Sequence, residues 1–529
     1  MKSISYLSGA IGAALALAAC NKQVLDKNPL GTQTPDVYYS DSAQAILGIN
    51  GIYDATSWEE GPNAGSNVEW MFGDILSNDA EKGSTQGDFN QIQLMKEWRA
   101  NPADNPGRDA YNNMYQAIFR ANTAIANLQG ATWNSPLKTR LIGESRFLRG
   151  YAYFYLLRMF GGVTVVTTPL ATDQFGQLQR SSFAATCQQI EQDLKYADSV
   201  LPVKSAYAAE DMGRATKGAA ESFLARVYMY QLGTDNTNAH TWQQVYDITN
   251  TVMQSGQYNL LQNYAQIQEL EGENGVESIY ELQYSESQNE WGPGKVGTTS
   301  NVFQNTRSTW GWGFNNPTQS LVDEFEPNDP RKACTVYGNG DIACGIKQII
   351  NKGDDNFTGY MNRKAAIVKP AATKASGQNI RKMRYADILL MHAEAAAHIG
   401  REQEARDYVN QVRARARLST LPKGSLLNDA STYANANTPA GTLPDIDGSV
   451  AGTDLLKAIW HERRVELGME ALHFWDMIRT GTYISSLPDD IKAACNKHLL
   501  PGNTVNPIPV LPIPLTEVQA WKLAQNPGY

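Results

Sequence analysis

Helical patterns recur in pairs along this chain, and glycine closes most of them. Arg140 to Phe160 places Leu141, Leu148, Tyr151, Tyr155 and Leu156 at three- and four-residue steps and stops at Gly161-Gly162. Arg214 to Leu232 repeats the character with Ala215, Ala219, Phe223, Leu224, Val227 and Tyr228 before Gly233, and its partner runs from Thr241 to Ser255. Arg384 to Ile399, ended by Gly400, is followed by Glu402 to Leu418 with Ala405, Val409 and Val412. A further pair joins Asp109 to Leu128 with the Arg140 helix. One hairpin of this kind cannot bury its own apolar face, so such units stack on one another.

Each pair has a first helix crowded with Ala and aromatics, a short turn and a second helix of similar length, and in this it resembles a tetratricopeptide-like hairpin. The expected fold class is mainly α: tetratricopeptide-like hairpins forming a superhelical scaffold, with long irregular loops and minor β elements. At 529 residues, with 42% apolar and 19% charged side chains, the chain has ample material for a core, and disorder is excluded. A net charge of −9 offers no footprint for phosphate backbones, so nucleic acid is not an expected partner. Three stretches carry no period: Glu59 to Pro106, Glu271 to Lys382 and Leu421 to Thr453. Loops this long in a compact protein are usually functional, and these hold Trp70, Trp98, Trp291, Trp310 and Trp312, with Trp58 immediately before the first.

The one strongly apolar run, Ile4 to Ala19 behind Lys2, is shorter than the roughly 20 residues of a transmembrane helix and reads as a signal peptide, residues 1–19. Its end, Leu17-Ala18-Ala19-Cys20, is similar to a bacterial lipobox. Cys20 would then carry lipid and hold the protein on a bilayer, with 20–35 a tether and 36–529 a single body, divided into an N-terminal part to about 270 and a C-terminal part from about 271. Of the other cysteines, Cys334 and Cys344 flank a short Gly-containing loop, and export to an oxidising compartment leads to the expectation of a disulfide between them. No CxxC pair occurs, and neither a metal nor a cofactor is expected; the oxygen-rich clusters Asp74, Asn78, Asp79, Glu81 and Asp354-Asp355 lack the spacing of a calcium loop.

Several blocks, in order, resemble the SusD-like (RagB/SusD) outer-membrane lipoproteins of Bacteroidetes. They are LDKNP after Cys20, GDILSNDAEKG from Gly73, RFLRGYAYFYLLRMFGG from Arg146, RYADILLMHAEA from Arg384, HERRVELGMEALHFWDMIRTG from His461, and the ending from Pro512. The resemblance implies about four tetratricopeptide-like units and a ligand-binding face made by the intervening segments. It also implies lipid anchorage at the cell surface in the outer membrane. The expected activity is non-catalytic capture of a glycan for a SusC-like TonB-dependent transporter, with a peptide or another nutrient as the alternative ligand.

A sugar ring packs its C–H face on an aromatic plane and turns its hydroxyls to polar side chains. Candidates for that role are Trp98, Trp291, Trp310, Phe89, Asn101 and Trp58, with Glu81 and Lys82 at the edge. The many arginines, among them Arg384, Arg413, Arg415, Arg463, Arg464 and Arg479, alternate with Asp and Glu at helical spacing, which predicts solvated faces and inter-helix ion pairs. His461-Glu462 lacks the second histidine of a zinc protease, and Gly292 to Gly297 fits a dinucleotide pattern only formally, with no helix after it. A glycoside hydrolase needs only two carboxylates and is the least favoured reading.

Overall fold

The computed structural model describes residues 38–57, 69–104, 106–286 except 236 and 238, 297–353, 356–368 and 375–529 except 503. The signal segment, Cys20, Trp58, Trp291 and Asp354-Asp355 lie outside the described residues. The helices that carry the fold are α1 (Ser42–Ser57), α2 (Asn90–Lys96), α3 (Gly107–Gly130), α4 (Pro136–Phe160), α5 (Phe183–Val200), α6 (Lys217–Thr234), α7 (Trp242–Gln254), α8 (Tyr385–His398), α9 (Glu402–Arg417), α10 (Gly452–Leu467) and α11 (His473–Arg479). Their starts are chemically marked. Pro136 opens α4, Ser182 and Thr216 accept the Ala185 and Ala219 amides, and Thr241 with Gln244 closes a capping box on α7.

α1 packs on α3, α4 on α5, α6 on α7 and α8 on α9; successive pairs meet through α3–α4, α5–α6 and α7–α8. The result is the expected stack of helical hairpins, four pairs long. Every residue of α4 from Leu141 to Phe160 except Arg146 is buried, because helices lie on both sides of it. The pattern reading missed α5, whose buried stripe Cys187, Ile190, Leu194 and Ala197 is thin and set among glutamines and acids. No described helix is long and apolar enough to cross a membrane.

The β elements are four short antiparallel ladders: β1 (Ala80–Gly83) with β3 (Phe314–Pro317), β2 (Ser278–Leu282) with β8 (Ile380–Arg384), β4 (Val336–Gly338) with β7 (Tyr360–Asn362), and β5 (Ile342–Ala343) with β6 (Ile346–Lys347). One hydrophobic cluster runs from Tyr39 to Ile513.

Two expectations need correction. The arginines do form inter-helix ion pairs, but inside the molecule. Arg384 meets Glu277 at 2.8 Å and Glu466 at 2.7 Å, Arg413 meets Glu462 at 2.9 Å, and all are buried. Helices covered on both faces can enclose guanidinium groups only where carboxylates neutralise them. Cys334 and Cys344 are separate thiols. Cys334 packs with Tyr264, Ala265 and Ile267, while the β5–β6 turn carries Cys344 at φ 54° onto the Gly424 backbone.

Candidate functional site

The β1–β3 ladder joins two distant loops. Its antiparallel register sets Gly83 opposite Phe314, so the segment after β1 and the segment before β3 leave the same end. Ser84 N donates to Gly313 O at 2.7 Å. Arg307 then clamps the two together, with Nη2 donating to Ser84 Oγ at 2.6 Å and to Asp88, and Nε to Trp312 O at 3.1 Å. Gly311 is required here, because a Cβ on it would stand 2.1 Å from the Asn305 carbonyl oxygen.

An aromatic platform results. Trp70, Phe303 and Phe314 form its base, with Trp70 ring centroids 6.0 and 6.3 Å from the two phenylalanines. Phe89 lies edge-on to both, at 6.1 and 5.6 Å, and Trp312 edge-on to Phe303 at 4.5 Å. Phe89, Trp310 and Trp312 are each half-buried, and Trp310 is fixed by its Nε1 donating to Ile367 O at 3.3 Å. At the rim, the Ser84 hydroxyl and then Arg307 hold Asp88 below the usual carboxylate range.

Of the residues that sequence reasoning singled out, Phe89 and Trp310 lie in segments that meet across the Arg307–Asp88 pair. That reasoning named Trp312 only as a loop tryptophan, and Phe303, Arg307 and Asp88 not at all, since no one-dimensional signal links positions some 220 residues apart. Trp98 is corrected: it is 1% exposed, its Nε1 donates to Tyr483 Oη at 2.9 Å, and His498 stacks beside it, so it has no face to offer. Lys82 is fully buried, with Nζ donating to Thr85 O at 2.9 Å and Asp88 O at 2.7 Å; it braces the turn from beneath, and burial lowers it to about 8. Glu81 pairs with Lys96 at 2.8 Å. Asn101 is exposed and its side chain caps the Ala103 amide in its own turn. Asp74, Asn78, Asp79 and Glu81 do not converge: Asp74 accepts from Asn315 and Ala471, while Asp79 pairs with Arg464 at 2.8 Å. Among the described residues no group of three or more metal-ligating side chains occurs.

A stack of helical hairpins is the fold of SusD-like proteins. A model of the SusD family matches residues 276–529, and another, described as "Starch-binding associating with outer membrane", matches residues 49–229. The chain belongs to the SusD-like (RagB/SusD) family. It is similar to a SusD-like protein of Formosa agariphila, 23% identical over 96% of both chains. A solved laminarin-binding SusD-like protein superposes with TM-score 0.70 at 26% identity, covering 92% of this chain and 99% of the other. Surface glycan-binding protein A of Bacteroides thetaiotaomicron, solved in complex with laminarihexaose, shares the fold with TM-score 0.71 at 22% identity, covering 92% and 99%.

Proposed function

We propose that this protein is a non-catalytic glycan-binding lipoprotein of the outer-membrane surface, tethered through Cys20, which captures a saccharide chain and passes it to a SusC-like TonB-dependent transporter. The observation that carries the reading is the half-buried pair Phe89 and Trp312, held edge-on over the Phe303 ring, with the half-buried Trp310 two residues before Trp312 in the same loop. Loop aromatics left partly in water give up burial free energy unless a ligand covers them. C–H faces of successive sugar rings pack on the rings, and hydroxyls reach the Asp88–Arg307 pair, which the buried Ser84 holds from beneath. Asp88 is ionised and paired, so it has no proton to give a glycosidic oxygen, which supports binding without cleavage. The family match and the laminarin-binding relative point the same way.

Calorimetric titration with a panel of neutral polysaccharides that includes laminarin tests this. Trp310→Ala and Trp312→Ala are each expected to weaken binding by about 1 to 3 kcal/mol, with no product released from the bound chain. Affinity unchanged in both variants, or cleavage of the saccharide, would sink the reading.

A further inference from the structure

The described tryptophans have company, with one exception. Trp70, Trp98 and Trp475 are in the core, Trp133, Trp242, Trp310 and Trp312 lie against it, and Trp521 sits edge-on to Tyr115. Trp460, on α10, belongs to no hydrophobic cluster and meets no other ring among the described residues. It is half-buried, and its Nε1 is enclosed without a hydrogen-bond partner. An indole left unpacked, with its one donor unused, forgoes both burial and hydrogen-bond free energy.

This indole walls a pocket of about 210 Å³ at the junction of α10 and α11, whose other lining includes Lys457, His461, Asp476, Thr480 and Thr482. At roughly 30 Å³ per water, this is room for one six-membered sugar ring. The charges around it are already matched. His461 faces Glu324 at 2.7 Å and Glu326 at 3.5 Å, Asp476 takes Arg479 at 2.7 Å and Arg463 at 3.2 Å, and Lys457 meets Asp454 at 3.2 Å. Arg464 of the same lining meets Asp79 at 2.8 Å and Glu324 at 2.7 Å, so the pocket's acidic and basic groups already have opposite partners. The Thr480 and Thr482 hydroxyls, 3.2 Å apart, line the same pocket as the indole; Thr480 Oγ1 donates to the Asp476 carbonyl at 2.8 Å, and both oxygens keep lone pairs for an incoming hydroxyl.

We propose that this pocket binds a single neutral pyranose unit against Trp460, forming a second saccharide site. It shares no residue with the Phe89, Trp310 and Trp312 platform and stands or falls apart from it. The whole protein carrying fluorotryptophan, with the Trp460 fluorine resonance assigned by its loss in Trp460→Phe, is titrated with the methyl glycosides of glucose, galactose, mannose, xylose and N-acetylglucosamine. At least one should move that resonance saturably in the millimolar range. Thr482→Val should weaken the effect roughly tenfold while leaving the free resonance in place as a check on folding, and Trp310→Ala should leave it unchanged. A Trp460 resonance that no sugar moves, a shift indifferent to Thr482→Val, or one lost in Trp310→Ala overturns the proposal.

Discussion

Trp98 and Trp310 occupy loops of similar polarity, yet one is sealed inside and the other lies half open to water. The difference is in what each indole N–H meets. Trp98 donates to Tyr483, itself buried, so the ring is drawn fully into the core; Trp310 donates to the Ile367 carbonyl and keeps part of its ring at the surface. Trp98→Ala should therefore act on stability. The loss is expected at about 3 to 5 kcal/mol in denaturant unfolding, while the folded variant binds saccharide with unchanged affinity in calorimetry. A weakened affinity at full stability would return Trp98 to the binding face. Nothing in the residues flanking either tryptophan distinguishes the two outcomes, because ring orientation depends on partners hundreds of positions away.

At the scale of elements, Asp74 shows how the platform's base is held. It lies in the single π-helical turn Met71–Ile75, whose Gly73 rests directly on Ala471. Its carboxylate accepts from Asn315 Nδ2 at 3.0 Å and from Ala471 N at 2.9 Å, tying that turn to β3 and to the α10–α11 connection. Burial pushes its pKa up to about 7; Asn315 and the Ala471 amide oppose the rise, and the nearby Asp79 adds to it. The folded chain thus holds this proton more tightly than the unfolded one. The resulting stabilisation is fully present below about pH 3.8 and is lost as pH rises through about 7. Subtracting the urea-unfolding free energy of Asp74→Asn from that of the wild type over a pH series isolates it. The difference should grow as pH falls from neutrality towards 4, and a flat difference would refute the assignment. The block GDILSNDAEKG is conspicuous in the sequence, but it resembles a ligand or cation loop more than the structural joint it forms.

Across the whole molecule, the hairpin stack is locked to the loop region by a buried ionic lattice. Glu466 of α10 receives Arg384 of β8 at 2.7 Å, Arg331 at 3.1 Å and Arg415 of α9, while Glu277 beside β2 binds both Arg384 and Arg415. Burial alone would raise the Glu466 pKa, but the three guanidinium groups outweigh it and hold the carboxyl at about 2. Its stabilising contribution is present above pH 4.5 and lost as pH falls through about 2. Glu466→Gln takes the shared carboxylate from three buried cations, leaving Arg384 and Arg415 to Glu277 and Arg331 to Asp329 and Glu462, and should cost about 3 kcal/mol, read by thermal and denaturant unfolding at neutral pH. A loss below about 1 kcal/mol would mean the lattice is screened like a surface pair.

The sequence by itself determined the helical class and most of the long helices, because apolar spacing, N-caps and glycine stops are local signals; α5 escaped where that stripe was thin. It also carried the family, through blocks that survive as contiguous strings. Only the tertiary structure decided which aromatics face water, that the arginines are enclosed, that Cys334 and Cys344 stay apart, and that Trp460 stands alone over a pocket. Those outcomes depend on burial and on the pairing of residues far apart in the chain. A ladder as short as β1–β3 brings Phe89 to Trp312, and neither segment encodes the other.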